Sequence, residues 1–486
     1  MPPLRRYYAP TGTGEVLADP GFDAVPTLVE TNRRRLDRGD VVVGGLPLRE
    51  LRALARREVY QSQSPPVATG GLSGPLLIAG HQPELSHPGV WVKHFALHGL
   101  ARKLGGVGLN LVVDTDTLKS TMLRLPIFRD RDPAAVRLDA LAFDRFDGET
   151  PYEDRRVADP HLFASLAERA AQLTRNWGYE PLLNRAWPEV VGHPPGIPIG
   201  ERLAAVRTCF ERKWGCENHE LPVSRLAQTA AFAAFAGHIL GDLGRFRTAY
   251  NGAVRAYRAR HGIRSANHPA PDLAPGEAPF WVRTGIAGRR ERATAESDPR
   301  RLRPRALSLT LFARLCLGDF FLHGIGGGKY DEVTDALIRD YFGIDPPAYQ
   351  VLSATLHLPL PGFPATAADV DRAARLVRDL HWNPQRHLPP DAYDRPDVRA
   401  LLAEKAALAA AEPTDRAARR EWFRTLQAVT KRLRRFVRDR VGPAEAARAR
   451  TEAEAAANAV LRRRDYAWVL YPEETLRPFL QQFLDQ

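Results

Sequence analysis

The sequence predicts an α/β fold, with a parallel-sheet core split by a large, mainly helical insertion and followed by a C-terminal helical hairpin. Three observations predict it. Two short apolar runs, Leu76–Gly80 and Asn110–Asp114, flank a helical stretch, the β-α-β order of parallel strands. A second series of helix, strand, Gly-rich turn, helix and strand occupies 306–358. The C-terminal region carries apolar residues at coiled-coil spacing.

Residues 1–70 read as an irregular region with helices over Val25–Leu36 and Leu48–Glu58. Leu76–Gly80 is a continuous apolar run bounded by turn signals, the pattern of a buried strand. After the loop 81–89, Val90–Leu104 reads as a helix that buries Trp91, Phe95 and Leu100 and stops at Gly105-Gly106. Asn110–Asp114 is the next strand. In the second series, Ala306–Leu317 is a helix and Phe320–Ile325 a strand. Gly326-Gly327-Gly328 turns into a helix over Tyr330–Tyr341, and Tyr349–Leu358 is the last strand.

The insertion, 120–300, begins with short strand-like pieces over Leu123–Val157. It becomes helical over Pro160–Ile263, where Leu166, Ala170 and Leu173, and later Phe232, Phe235 and Ile239, fall at helix spacing. A Pro- and Arg-rich connector closes it over 264–300. Near the C-terminus, Trp422, Leu426, Val429, Leu433 and Phe436 form an a/d seam on a helix over Thr414–Val441. Gly442-Pro443 ends that helix, and Ala446, Ala449, Ala453, Ala456 and Val460 carry a small-residue seam on the next. The expected domains are therefore 1–119, 120–300, 301–395 and 396–486.

At 486 residues the chain exceeds one ordinary core, and 44% hydrophobic with 26% charged content is that of a globular protein. The start, MPPLRRYYAP, has no apolar h-region of a secretory signal, and the longest apolar run, Thr229–Leu240, is too short for a bilayer span. A membrane partner is thus not expected. Three cysteines exclude a disulfide scaffold and point to a reducing cytoplasm. Cys209, Cys216 and His219 lack a fourth ligand at a zinc spacing. The net charge of +12 favours anionic partners, although arginine supplies almost all of it, a skew that a GC-rich genome also produces.

Ligands of open α/β sheets bind beyond the carboxyl ends of the strands, so three loops are candidates. In the first, His81 can serve as an acid–base group or a phosphate donor and Gln82 as a further donor; equally, His81 can cap the loop. In the second, Asp114 and Asp116 can bind a metal or an amine, with Lys119 nearby, or merely bond loop amides. In the third, Gly326, Gly327 and Gly328 allow close approach of a phosphate, followed by Lys329, Tyr330 and Asp331. This is neither a Walker loop nor a G-x-G-x-x-G fingerprint. Nucleophile-elbow, HExxH and kinase motifs are absent from the sequence.

At these three places the chain resembles the cysteine-adding enzyme family of bacillithiol biosynthesis. Gly80-His81-Gln82 stands where that family has Gly-Gln-Gln, and Asp114-Thr115-Asp116 stands at its acidic segment, without the family's His. Arg303-Pro304, a helix and Gly326–Glu332 follow the order of its Arg-Pro, helix and Gly-Gly-Pro-x-Glu segment. The resemblance implies a Rossmann-like core, ATP or another nucleotide as cofactor with Mg2+ on Asp114 and Asp116, and Arg303 at the ligand. It also implies a carbon–nitrogen ligase that forms an amide, and a homodimer through the C-terminal coiled coil. The rival expectation is a non-catalytic nucleic-acid-binding or scaffold protein that uses the basic face Lys431, Arg432, Arg434, Arg435, Arg438 and Arg440. Little aromatic interleaving accompanies that face, which ranks it second.

Overall fold

A six-stranded sheet organises the computed structural model, which describes residues 7–63, 74–129, 131–284 and 289–486. The opening Met1–Arg6, and parts of the expected N-terminal region (64–73) and of the connector (285–288), lie outside the described residues. The strands are β1 (Val16–Asp19), β2 (Leu76–His81), β3 (Val107–Val112), β4 (His219–Pro222), β5 (Phe320–His323) and β6 (Gln350–Ala354). Their order is β1-β6-β5-β2-β3-β4, parallel throughout except for β1 on β6. The chain thus steps from β2 outward to β3 and β4, then crosses back to place β5 and β6 on the other side of β2.

The principal helices are α1 (Val25–Leu36), α2 (Leu48–Gln61), α3 (Pro88–Lys103), α4 (Ile199–Lys213), α5 (Ala230–Gly241), α6 (Leu243–His261), α7 (Ile325–Asp340), α8 (Ala367–Trp382), α9 (Pro396–Ala410), α10 (Arg416–Arg434) and α11 (Arg438–Leu461). Both faces of the sheet are covered. Leu76 and Ile78 join a core with Leu51, Phe232, Phe235, Phe246 and Leu337 from α2, α5, α6 and α7. Leu77 and Ala79 alternate with them and are equally buried. On that second face, Gly108 lies against Leu97 and Ala101 of α3. Burial on both faces is why β2 reads as an unbroken apolar run.

β3 starts at Val107, three residues before the expected strand. Gly105 adopts φ +61° and Gly106 passes hard against Pro75, which lets Val107 N–H donate to Pro75 O at 2.8 Å. α1 has the expected bounds, and α7 begins at Ile325, so Gly326–Gly328 form its first turn and not a loop. None of the three needs a positive φ.

The described chain divides into two compact units, Met1–Leu125 with Ala140–Pro359 and Arg464–Gln486, and Pro126–Asp139 with Leu360–Arg463. The expected insertion is therefore not a body of its own. It supplies β4, whose Glu220 pairs with Asn110 of β3, and the helices α4, α5 and α6 of the first unit. The last residues likewise belong to the first unit, where Trp468 packs on Trp91 at 4.8 Å between ring centroids.

In the second unit the C-terminal helices do not pair as the expected hairpin. The chief packing partner of α11 is α8 and that of α10 is α9. Val429 and Leu433 of the seam bury against Val398, Leu401, Val377 and Leu380. The break falls at Arg435–Val437, ahead of Gly442-Pro443. Pro443 sits early in α11, where its missing N–H forfeits only one intrahelical bond.

One carboxylate joins the two central strands at their starts. Asp319, before β5, accepts Leu76 N–H at 2.9 Å and both Arg52 and Arg56 of α2, at 2.8 and 2.6 Å. Its backbone carbonyl accepts from Asn32 of α1 at 2.9 Å. The side chain is 2% exposed. Asp319→Ala leaves two arginines without their carboxylate and a strand amide unpaired, so it should cost about 3–5 kcal/mol in urea denaturation; a loss under about 1 kcal/mol would refute this role.

Candidate functional site

Where a parallel sheet reverses its order, the loops on either side diverge and leave a crevice beyond the strand ends. Here the reversal falls between β2 and β5. The loops at that end of the sheet are 81–87 after β2, 113–119 after β3 and the start of α7 after β5.

A lysine that the sequence reading counted only as charge occupies the reversal. Lys93 lies in the second turn of α3 and is 2% exposed. Its Nζ donates to Gly80 O at 3.1 Å and comes within 3.9 Å of the position a Cβ on Gly324 would take. The ammonium therefore sits between the ends of β2 and β5 at the N-terminus of α7. Burial pulls its pKa down to about 8. Its one sequence signal was a lone cation inside Trp91–Leu97, a stretch otherwise readable as core.

Trp91 and His94, on either side of Lys93 in sequence, anchor the helix. Trp91 Nε1 and His94 Nδ1 meet Glu211 Oε1 of α4 at 2.5 and 2.7 Å. Arg207 contacts both Glu211 oxygens at 2.8 Å and Glu220 of β4 at 2.6 Å. His94, Glu211 and Glu220 are the one three-ligand grouping of metal-binding atoms among the described residues. The Arg207 guanidinium already stands among them as the cation, so the cluster is an internal ion-pair network. Burial pushes the Glu211 carboxyl up, but Arg207 and His94 outweigh it and hold it low, at about 2.

The structure brings the first two candidate loops together. Gln82 Nε2 donates to Asp116 Oδ2 at 2.9 Å, and Thr117 N–H to Asp116 Oδ1 at 2.8 Å. His81 Nδ1 lies 3.0 Å from Gln82 O. Burial, reinforced by Lys93, lowers the His81 pKa to about 3 and keeps the imidazole neutral. Asp114 accepts Ser224 N–H at 2.8 Å and Ser224 Oγ–H at 2.5 Å. Burial raises its carboxyl to about 6, a basicity suited to proton transfer near neutrality.

The stretch 150–153 completes the wall. Tyr152 N–H donates to Asp116 O and Glu153 N–H to Asp114 O, at 2.9 and 2.8 Å. Burial raises the Tyr152 hydroxyl above its usual range, with Glu84 adding to the effect. Burial and then Asp116 raise the Glu84 carboxyl, which Lys119 counteracts. Glu84 lies in the first candidate loop without a signal of its own, and Tyr152, Glu153 and Ser224 escaped the sequence reading because they are ordinary polar residues far in sequence from that loop.

Other expected residues take different roles. Arg303 is 6% exposed and grips Glu153 through Nε and Nη2, both at 3.0 Å, so it braces the wall. Asp331 is fully buried against Arg314, at 3.1 Å, and His323. Tyr330 is half-buried against the core. Gly327 lies against the His323 ring and Gly328 against Val351 and Tyr7, which accounts for both by packing; Gly326 faces open space. Lys329 and Lys119 are exposed.

The basic run divides its charges. In the second unit Arg434 donates to His381 O and Arg440 to His387 O, at 2.9 and 2.8 Å, while Arg432 faces Glu404. The described residues include no helix long and apolar enough to cross a membrane.

Replacing Lys93 removes a buried charge, and Lys93→Met should raise stability by about 1–3 kcal/mol at pH 7, net of the donor lost to Gly80 O. Because the folded pKa lies below the unfolded one, the gain should shrink as pH rises from about 8 to 10.5. Urea denaturation across that range tests it; destabilisation at pH 7 would contradict it. The comparisons with known proteins found no protein-family model and no curated protein that matches this sequence.

Proposed function

We propose that this chain binds a nucleotide or another phosphorylated ligand in the crevice at the strand reversal, and uses it in ligase-like, amide-forming chemistry. The observation that carries this reading is the buried Lys93 ammonium beside the N-terminus of α7. A buried cation without a carboxylate partner is costly, and an anion bound there would offset the cost. The free N–H groups of Ile325, Gly326 and Gly327 add donors at the same place. The sheet order supports the Rossmann-like reading: with β2, β3, β4, β5 and β6 counted as 1 to 5, the parallel strands run 3-2-1-4-5.

On this reading Lys93 and the α7 amides hold phosphoryl oxygens, while Asp114 and Asp116 receive the substrate amine. A substrate carboxylate attacks the terminal phosphorus of ATP, the bond to the bridging oxygen breaks and ADP leaves, which gives an acyl phosphate; the amine then attacks the acyl carbon, and inorganic phosphate leaves. Asp114 takes the amine proton, and neutral His81 orients the loop through Gln82. Mg2+ would supply charge neutralisation on the phosphates. Each oxygen of Asp114 and Asp116 already accepts one hydrogen bond and keeps a second lone pair. A cation on them would keep most of its water, as Mg2+ prefers. The same reading places the protein in the cytoplasm.

Thermal-shift titration with ATP, ADP and AMP, with and without Mg2+, tests the binding. A saturable rise in Tm that Lys93→Met abolishes is the expected result. Affinity should fall about tenfold between pH 7 and 9.5 as Lys93 loses its proton, and Lys93→Met should remove that dependence. The absence of any shift with all three nucleotides would overturn the reading.

A further inference from the structure

At the opposite end of the same strands, α1 and α2 wall a cleft of about 700 Å3, the size of a small-molecule site. Arg33, Arg34, Arg49, Arg52, Arg56 and Arg57 line it, against the three carboxylates of Glu30, Asp37 and Asp319. The floor is short of negative charge. Arg52 and Arg56 share one oxygen of Asp319, and Leu76 N–H takes the other. Two guanidinium groups thus stand on one buried carboxylate.

Two further N–H groups of Arg52 go to neutral carbonyls, Leu315 O at 2.5 Å and Gly318 O at 3.0 Å. Arg56 Nε donates to Leu317 O at 2.9 Å, which leaves its Nη1 as a spare donor. Burial, then Arg56, pulls Arg52 down to about 10. On the rim, Arg34 pairs with Glu30 at 2.9 Å, while the exposed Arg49 and Arg57 make no ion pair among the described residues. Uncompensated charge on the floor, unpaired arginines at the mouth and a concave shape between them converge on one ligand class.

We propose that this cleft binds a compact polyanion carrying two or more phosphoryl groups. Planar guanidinium groups match phosphate oxygens two at a time, and a second phosphoryl group lets one ligand reach both the floor and the rim. The cleft does not depend on the crevice reading, since its residues lie at the other ends of β2 and β5.

The test is isothermal titration with inorganic tripolyphosphate at fixed ionic strength, in the Lys93→Met background so that the crevice contributes nothing. Arg49 and Arg57 are exposed and make no ion pair among the described residues, so Arg49→Ala/Arg57→Ala should fold as the parent does, with thermal melting as the check. The expected result is at least a tenfold loss of tripolyphosphate affinity in the double variant, and at least tenfold weaker binding of orthophosphate to the parent. Unchanged affinity in the double variant would overturn the proposal. So would equal binding of orthophosphate, or tighter binding of a single-stranded oligonucleotide with a steep salt dependence, which would mark a nucleic-acid surface.

Discussion

Asp319 is the constraint on which the first unit depends. A single carboxylate, sealed from water, receives the first amide of β2 and two arginines of α2, while its own carbonyl holds Asn32 of α1. The parallel pairing of β5 with β2 starts from that point, with Phe320 opposite Leu77. The geometry at the far ends of the strands follows from it. If β5 slipped by one residue, its side chains would exchange faces and Gly324 would no longer meet Lys93.

The second anchor acts on the other face of the sheet. Glu211 collects Trp91 and His94 from α3, and Arg207 links it to Glu220 at the sheet edge. These bonds leave α3 little freedom to roll, and Lys93, between the two anchored residues, is fixed over the strand reversal. Desolvation of that ammonium is borne by a helix clamped in place and by the surrounding packing. Such a local cost inside an otherwise apolar stretch is common where a fold holds a group for binding.

The two ends of the central strands thus share a plan with opposite emphasis. At the carboxyl ends one cation is buried beside a helix N-terminus, and carboxylates are arrayed across the loops. At the amino ends arginines outnumber carboxylates within a cleft of about 700 Å3. Between the two lies only the length of β2, roughly 20 Å at the usual rise per residue.

Sequence by itself determined the elements whose signal is local. α1, the run at β2 and the turn at Gly105-Gly106 were legible because burial on both faces, helix periodicity and glycine punctuation act over a few residues. It also gave the loops holding His81, Gln82, Asp114 and Asp116, since strand ends are marked by the change from apolar to polar residues. Tertiary structure decided the rest. β4 is four residues long, ends in proline and lies amid helices, so only its pairing with β3 makes it a strand. The a/d seam of α10 specified an apolar stripe without naming its partner, and α9, not α11, covers it. Lys93 looked like any lysine, and Arg303 and Asp331 like ligand groups. Whether a charged side chain faces water, a ligand or an opposite charge is set by neighbours distant in sequence, and only the packed chain brings those neighbours together.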